Sequence, residues 1–213
     1  QYLELVVAYA DNVIGGEKVR LRSYNGKLVG PTIRAKPGDT LNIRLVNSLP
    51  ENIKNIPNAK VSAAELAREM TRNVPPVLST NIPHNFNTTN LHTHGLHVSP
   101  AGNSDNVLIA IGPGEEFYYE IKIPTDHPPG TFWYHPHVHG STALQVGSGL
   151  EGALIIEGDI DRVPAIAAAK EQIFVLQQIP YAKQDHPVLK EEKAGTLESF
   201  NRAFLNGAWE RGG

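Results

Sequence analysis

Residues 117–138 read Phe-Tyr-Tyr-Glu-Ile-Lys-Ile-Pro-Thr-Asp-His-Pro-Pro-Gly-Thr-Phe-Trp-Tyr-His-Pro-His-Val. The first seven alternate, with Phe117, Tyr119, Ile121 and Ile123 on one side, the period of a half-buried strand. Pro128-Pro129-Gly130 then marks a turn, and a second strand is expected from Thr131 to Val138. The same grammar runs outward in both directions. Upstream, Leu3 to Ala10 is apolar and rich in branched residues, and Lys18 to Tyr24 alternates ahead of the tight-turn pair Asn25-Gly26. Pro31 to Ala35, Pro37-Gly38-Asp39 and Thr40 to Val46 read as strand, turn and strand, with Leu41, Ile43 and Leu45 sharing a face. Further strands are expected at Asn90 to Ser99, Val107 to Ile111 and Leu150 to Glu157. Short strands separated by Gly/Pro turns make this an all-β chain, an antiparallel sandwich or barrel.

Two regions break the pattern. Residues 49–90 are rich in Pro, Asn and Lys and carry one helical stretch near Ser62 to Met70, with Ser62 and Glu65 spaced as a capping box. They read as an insertion into a β-domain spanning 1–160. Asp161 to Ala169 reads as a linker into a helical turn. Gln172 to Gln178 is a new apolar strand, and residues 161–213 are expected to be a linker and the truncated start of a second domain.

The chain has 213 residues, a net charge of −3 with mixed signs, and no cysteine. A disulfide scaffold, a zinc–cysteine site and a thiol nucleophile are therefore excluded. No basic tract points to nucleic acid, and the longest apolar runs are far too short for a membrane-spanning helix.

Chemistry concentrates in two segments. Residues 91–95 read Leu-His-Thr-His-Gly, and 133–140 read Trp-Tyr-His-Pro-His-Val-His-Gly. On a strand, residues i and i+2 point to one face, roughly 6–7 Å apart. His92 with His94, and His135 with His137, could each grip a metal, and on nearby strands they would pool four imidazoles. A lone His-x-His is weak, because core or solvated histidines explain many such pairs. Two pairs in apolar strands beside glycines form a nitrogen-rich site that favours copper or catalytic zinc over calcium or magnesium. His97 lies three residues past His94 and is expected to face the other way. His139 continues the alternation of His135 and His137. His84, His127 and His186 read as loop histidines, and Phe132 and Trp133 as strand core.

These segments carry a family resemblance. Residues 91–100, followed by Asn103-Ser104-Asp105-Asn106, resemble the first copper motif of multicopper oxidases. Residues 131–140, followed by Gly149-Leu150-Glu151-Gly152, resemble the second. Gly30-Pro31-Thr32-Ile33 with Pro37-Gly38-Asp39 is similar to the family's early strand–turn pattern, so the likeness covers about residues 20–160. Phe204-Leu205-Asn206-Gly207 is a weaker match to the opening of the second domain.

The resemblance implies a cupredoxin-like Greek-key β-sandwich in an enzyme that oxidises a reducing substrate and reduces dioxygen to water. It places His92 at a type 2 copper and His94, His135 and His137 at a type 3 pair. Asp105 would be a catalytic carboxylate supplying protons, although Gly-Asn-Ser-Asp-Asn is equally a turn composition, and both readings stay open. A C-terminal cupredoxin domain would complete the cluster. A type 1 site needs a thiolate, so it is absent from this chain, and Met70 in the inserted helix is no axial ligand. The family resemblance also implies a secreted or periplasmic protein.

Two rivals remain. One is a stand-alone copper-binding or structural cupredoxin without oxidase activity. The other is a cupin, which would place a Glu three or four residues after His-x-His, where His97 and Val98 stand instead.

Overall fold

The computed structural model describes residues 2–52 and 85–179. Eight strands form two four-stranded sheets that pack face to face. They are β1 (Tyr2–Ile14), β2 (Glu17–Tyr24), β3 (Ile33–Ala35), β4 (Thr40–Asn47), β5 (His92–His94), β6 (Glu116–Lys122), β7 (Gly130–His135) and β8 (Gly152–Ile156). The first sheet runs β2-β1-β4-β6 and the second β3-β8-β7-β5. A short helix, α1 (Thr142–Gly147), lies between β7 and β8. A 3-10 turn at Asp159–Arg162 and the single-turn α2 (Pro164–Ala167) follow β8.

Alternation decides which faces meet. Leu41, Ile43 and Leu45 are at most 2% exposed, and Tyr119 and Ile121 face them from the register-matched β6. Leu5 and Val7 of β1, and Ile33, Ala35, Tyr134, Leu154 and Ile156 of the second sheet, complete one apolar core. Each large aliphatic side chain so buried contributes about 2 kcal/mol relative to exposure.

The turns form where the sequence places them. Asn25 and Gly26 both have positive φ (54° and 74°), the primed geometry that suits a tight hairpin. Gly38, at φ 89°, follows Pro37 in a turn closed by the Asp39 N–H donating to the Lys36 carbonyl at 3.0 Å.

The structure departs from the expectations in five places. The sheets are mixed, because β1 pairs with β4 and β3 with β8 in parallel. Register with a strand far away in sequence leaves no local mark. The strand expected over Asn90 to Ser99 keeps only His92–His94, ended by Gly95 at φ 90°. Val107 to Ile111 contributes one isolated bridge, Thr89 to Ile111. The strand from Thr131 stops at His135, since Pro136 has no N–H for the ladder. Gln172 to Gln178 is not paired as a strand: among the described residues no neighbouring strand satisfies its backbone, and Phe174 and Leu176 are 78% and 94% exposed. The Ser62–Met70 helix, most of the expected insertion, and residues 180–213 lie outside the described residues.

Candidate metal centre

The site stands on the outer face of the second sheet. β5 and β7 pair antiparallel, with His92 opposite His135, Thr93 opposite Tyr134 and His94 opposite Trp133. Thr93 and Tyr134, both fully buried, point into the sandwich, so strand alternation turns His92, His94, Trp133 and His135 outward together. His137, beyond Pro136, is brought back by another device. Asn90, fully buried, accepts the His137 N–H on Oδ1 at 2.6 Å and donates from Nδ2 to the Val107 and Ile109 carbonyls, both at 3.0 Å. Asn90 was not singled out from the sequence; its only local sign is a buried-strand neighbourhood just before Leu91.

The four imidazoles converge. Ring centroids of His92 lie 5.5 Å from His94, 5.3 Å from His135 and 5.1 Å from His137. Ligand-capable nitrogens of His92, His94 and His135 all lie within 4.8 Å of one another. Ligands on opposite sides of one ion, each about 2.0–2.1 Å from it, are roughly 4 Å apart. The observed spread therefore accommodates an ion, or neighbouring ions, after small ring rotations.

Hydrogen bonds leave the right atoms free. The Asp105 carboxylate lies 3.0 Å from His92 Nδ1 through either oxygen, and its Oδ1 accepts the Thr93 N–H at 3.0 Å. Asp105 is 8% exposed and is thus committed to β5 rather than to its own turn. With Nδ1 held, His92 keeps Nε2 for a ligand. His135 donates Nδ1–H to the Pro136 carbonyl at 2.8 Å, so its Nε2 carries a lone pair, 3.1 Å from His94 Nδ1. Those two atoms either share a proton or face a common cation.

Electrostatics favour the neutral form at His135 and His137. Burial, with His92, His94 and His137 close by, pushes the His135 imidazole down to about 4, and burial likewise lowers His137. A neutral imidazole is the form that binds metal. His137 Nδ1 is buried without a hydrogen-bond partner among the described residues. An all-imidazole donor set with an unpartnered ring nitrogen fits a borderline transition metal such as copper.

Other sequence candidates resolve differently. Trp133 is not core: its indole stacks on His135 at 4.1 Å and on His94 at 4.8 Å, with interplanar angles of 27° and 28°. Phe132 does pack against the core. His97 is exposed, and its backbone N–H donates to Nε2 of His127 at 3.0 Å. His127 lies in a loop as read but is only 4% exposed, its Nδ1–H going to the Pro128 carbonyl at 2.8 Å. Both of its ring nitrogens are thereby used. His139 is exposed, its ring 5.8 Å from that of His137. His84 and His186 lie outside the described residues.

The multicopper oxidase family model matches residues 7–55 and 78–160. The chain belongs to the multicopper oxidase family. A multicopper oxidase of Staphylococcus aureus is 29% identical over 178 residues, 84% of this chain and 28% of that protein. Copper resistance protein A of Escherichia coli is 27% identical over 198 residues, 91% of this chain and 25% of the relative. The chain thus spans about a quarter of the length of these relatives. Among solved structures, a multicopper oxidase from Pseudomonas thermotolerans superposes with TM-score 0.50 at 28% identity, covering 74% of this chain and 29% of that one. The laccase from Botrytis aclada gives TM-score 0.50 at 27% identity, covering 74% and 22%. The two-sheet sandwich is the cupredoxin-like fold of these multicopper oxidases. Among the described residues, no helix is long and apolar enough to cross a membrane.

Proposed function

We propose that this chain is the N-terminal part of a copper-dependent oxidase, supplying His92, His94, His135 and His137 to a trinuclear copper cluster. The domain division at about residue 160, with a second cupredoxin domain beginning beyond it and a C-terminal one completing the cluster, belongs to the same proposal. So does a secreted or periplasmic location. The observation that carries it is the convergence of His92, His94 and His135 nitrogens within 4.8 Å on one outward sheet face.

In this reading His92 would hold the type 2 copper through Nε2, while Asp105 fixes the orientation of its ring. His94, His135 and His137 hold the type 3 pair. Bound copper would pass electrons from a reducing substrate to dioxygen, yielding water. Reduction of one dioxygen to two waters consumes four electrons and four protons. Asp105, 3.0 Å from His92 Nδ1 and nearly buried, would in this reading hand protons inward. Trp133 packs beside His94 and His135 and excludes water from one side of the pair.

The test is copper content and blue absorbance of the full-length gene product, with oxygen uptake on a phenolic substrate, against a His92→Ala/His135→Ala variant. Loss of cluster copper and of oxygen uptake in the variant supports the assignment. Unchanged cluster copper removes these residues from the site. Copper without oxygen uptake in the parent protein favours the stand-alone copper-binding reading.

A further inference from the structure

Three of the four imidazoles are held by groups outside the imidazole cluster. His92 Nδ1 lies 3.0 Å from the Asp105 carboxylate, and His135 donates Nδ1–H to the Pro136 carbonyl at 2.8 Å. His137 is half-buried, and Asn90 binds its backbone N–H. His94 has no such anchor. It is exposed and closes β5 just ahead of Gly95. Among the described residues its ring hydrogen-bonds only to His135, Nδ1 to Nε2 at 3.1 Å. That bond occupies the one lone pair His135 has to offer, so it cannot persist once His135 Nε2 is a ligand. What then remains against His94 is Trp133. It stands directly across the ladder from His94, where facing side chains meet. Its indole lies 4.8 Å from the His94 ring at an interplanar angle of 28°, whereas the His92 and His135 rings meet His94 tilted by 57° and 42°.

We propose that Trp133 is a positioning residue whose indole fixes the ring plane of His94, the task that hydrogen bonds perform for His92 and His135. The inference rests on the reading that these imidazoles take copper. A ligating histidine is ordinarily oriented through its second ring nitrogen; at His94 an aromatic face replaces that acceptor. An exposed histidine samples several rotamers, and the freedom it gives up on binding is subtracted from its hold on the ion. A plate laid against the ring removes part of that freedom beforehand. Rotation about the Cβ–Cγ bond drives the ring edge into the indole, while the nitrogens at the rim stay open to a ligand. Trp133 also stacks on His135, at 4.1 Å and 27°. His135, however, is 4% exposed and tied to Pro136, so it keeps its orientation without the indole. Removing the plate frees His94 alone.

Crystals of the copper-free full-length gene product would be compared for the parent, Trp133→Leu and Trp133→Phe. In Trp133→Leu the His94 ring is expected in more than one rotamer, with His92 and His135 unmoved; in Trp133→Phe it should keep the parental orientation. The same proteins, loaded with copper(II) sulfate, would be titrated with a competing chelator. Trp133→Leu should hold its cluster copper about tenfold more weakly, the upper end of what an aromatic pair contributes, and Trp133→Phe within about twofold of the parent. A single parental rotamer of His94 in Trp133→Leu overturns the proposal. So does a His135 ring that moves with it, a phenylalanine variant that behaves like the leucine one, or unchanged copper retention with a disordered His94. Trp133→Val, whose branched side chain suits a strand, carries the same expectations should the leucine variant not fold. A parent protein that takes up no copper sinks the copper reading, while the copper-free crystals still decide whether the indole orients His94.

Discussion

The carboxylate of Asp105 grips β5 at two adjacent points, His92 Nδ1 and the Thr93 N–H, each at 3.0 Å. One side chain from a loop thus sets both the orientation of an imidazole and the position of the strand that bears it. Asp105→Asn keeps an acceptor for Thr93 but replaces one of the two carboxylate oxygens that lie on His92 Nδ1. Copper affinity should fall about 10- to 100-fold, with little change in the urea midpoint. A competitive chelator titration checks this, and unchanged affinity would leave Asp105 a purely structural clamp.

Asn90 binds three backbone groups from two segments, the His137 N–H and the Val107 and Ile109 carbonyls. Asn90→Ala would orphan all three in a partly buried setting. The expected loss is about 3 kcal/mol in urea unfolding, together with weaker copper binding because His137 is no longer tied to β5. A variant with parental stability would contradict the bonding described.

Tyr134 leaves no room for a methyl group at Gly30. A Cβ there would strike the Tyr134 hydroxyl, which itself donates to the Pro31 carbonyl at 2.7 Å. Gly30→Ala should cost about 2 kcal/mol. In a Tyr134→Phe background the same change should cost at least about 1 kcal/mol less, because the hydroxyl is gone. Additive effects in this double-mutant cycle would place the strain elsewhere.

Glu151 gives the fold a pH signature. Burial raises its carboxyl above the ordinary 4.5, with the nearby Gln177 side chain opposing the shift. A group whose folded value is raised adds stability that is complete below 4.5 and is lost as pH rises through the folded value. Glu151→Gln removes this term, so the stability of the variant relative to the parent should climb with pH across that window and then level off. Parallel pH profiles in thermal unfolding would refute it.

The sequence made some of this legible and hid the rest for physical reasons. Leu41, Ile43, Leu45, Tyr119 and Ile121 declare their faces because a half-buried strand must alternate. His92, His94 and His135 share an outward face for the same reason. His137 reached the site although Pro136 ends the strand, held by an asparagine 47 positions earlier. Helix α1 went unread because Thr142–Gly147 is short and its anchor is remote: Gln145, fully buried, donates to the Phe86 and Thr88 carbonyls. Trp133 looked like core because an aromatic in a strand usually is; its outward stacking depends on which face holds the imidazoles. Gln172 to Gln178 shows the converse case, since an apolar stretch with no neighbouring strand among the described residues has no ladder to join.

The parallel pairing of β3 with β8 joins Ile33–Ala35 to Leu154–Ile156. Between those ends lie both histidine pairs, Asp105 and Asn90. Until β8 emerges from the ribosome, β7 has only the three-residue β5 beside it, and a two-stranded ribbon of that kind is marginal in water. During synthesis, therefore, the nascent chain carries its imidazoles unassembled until β8 seals the sheet, and a metal held by all four rings would have to arrive after that strand.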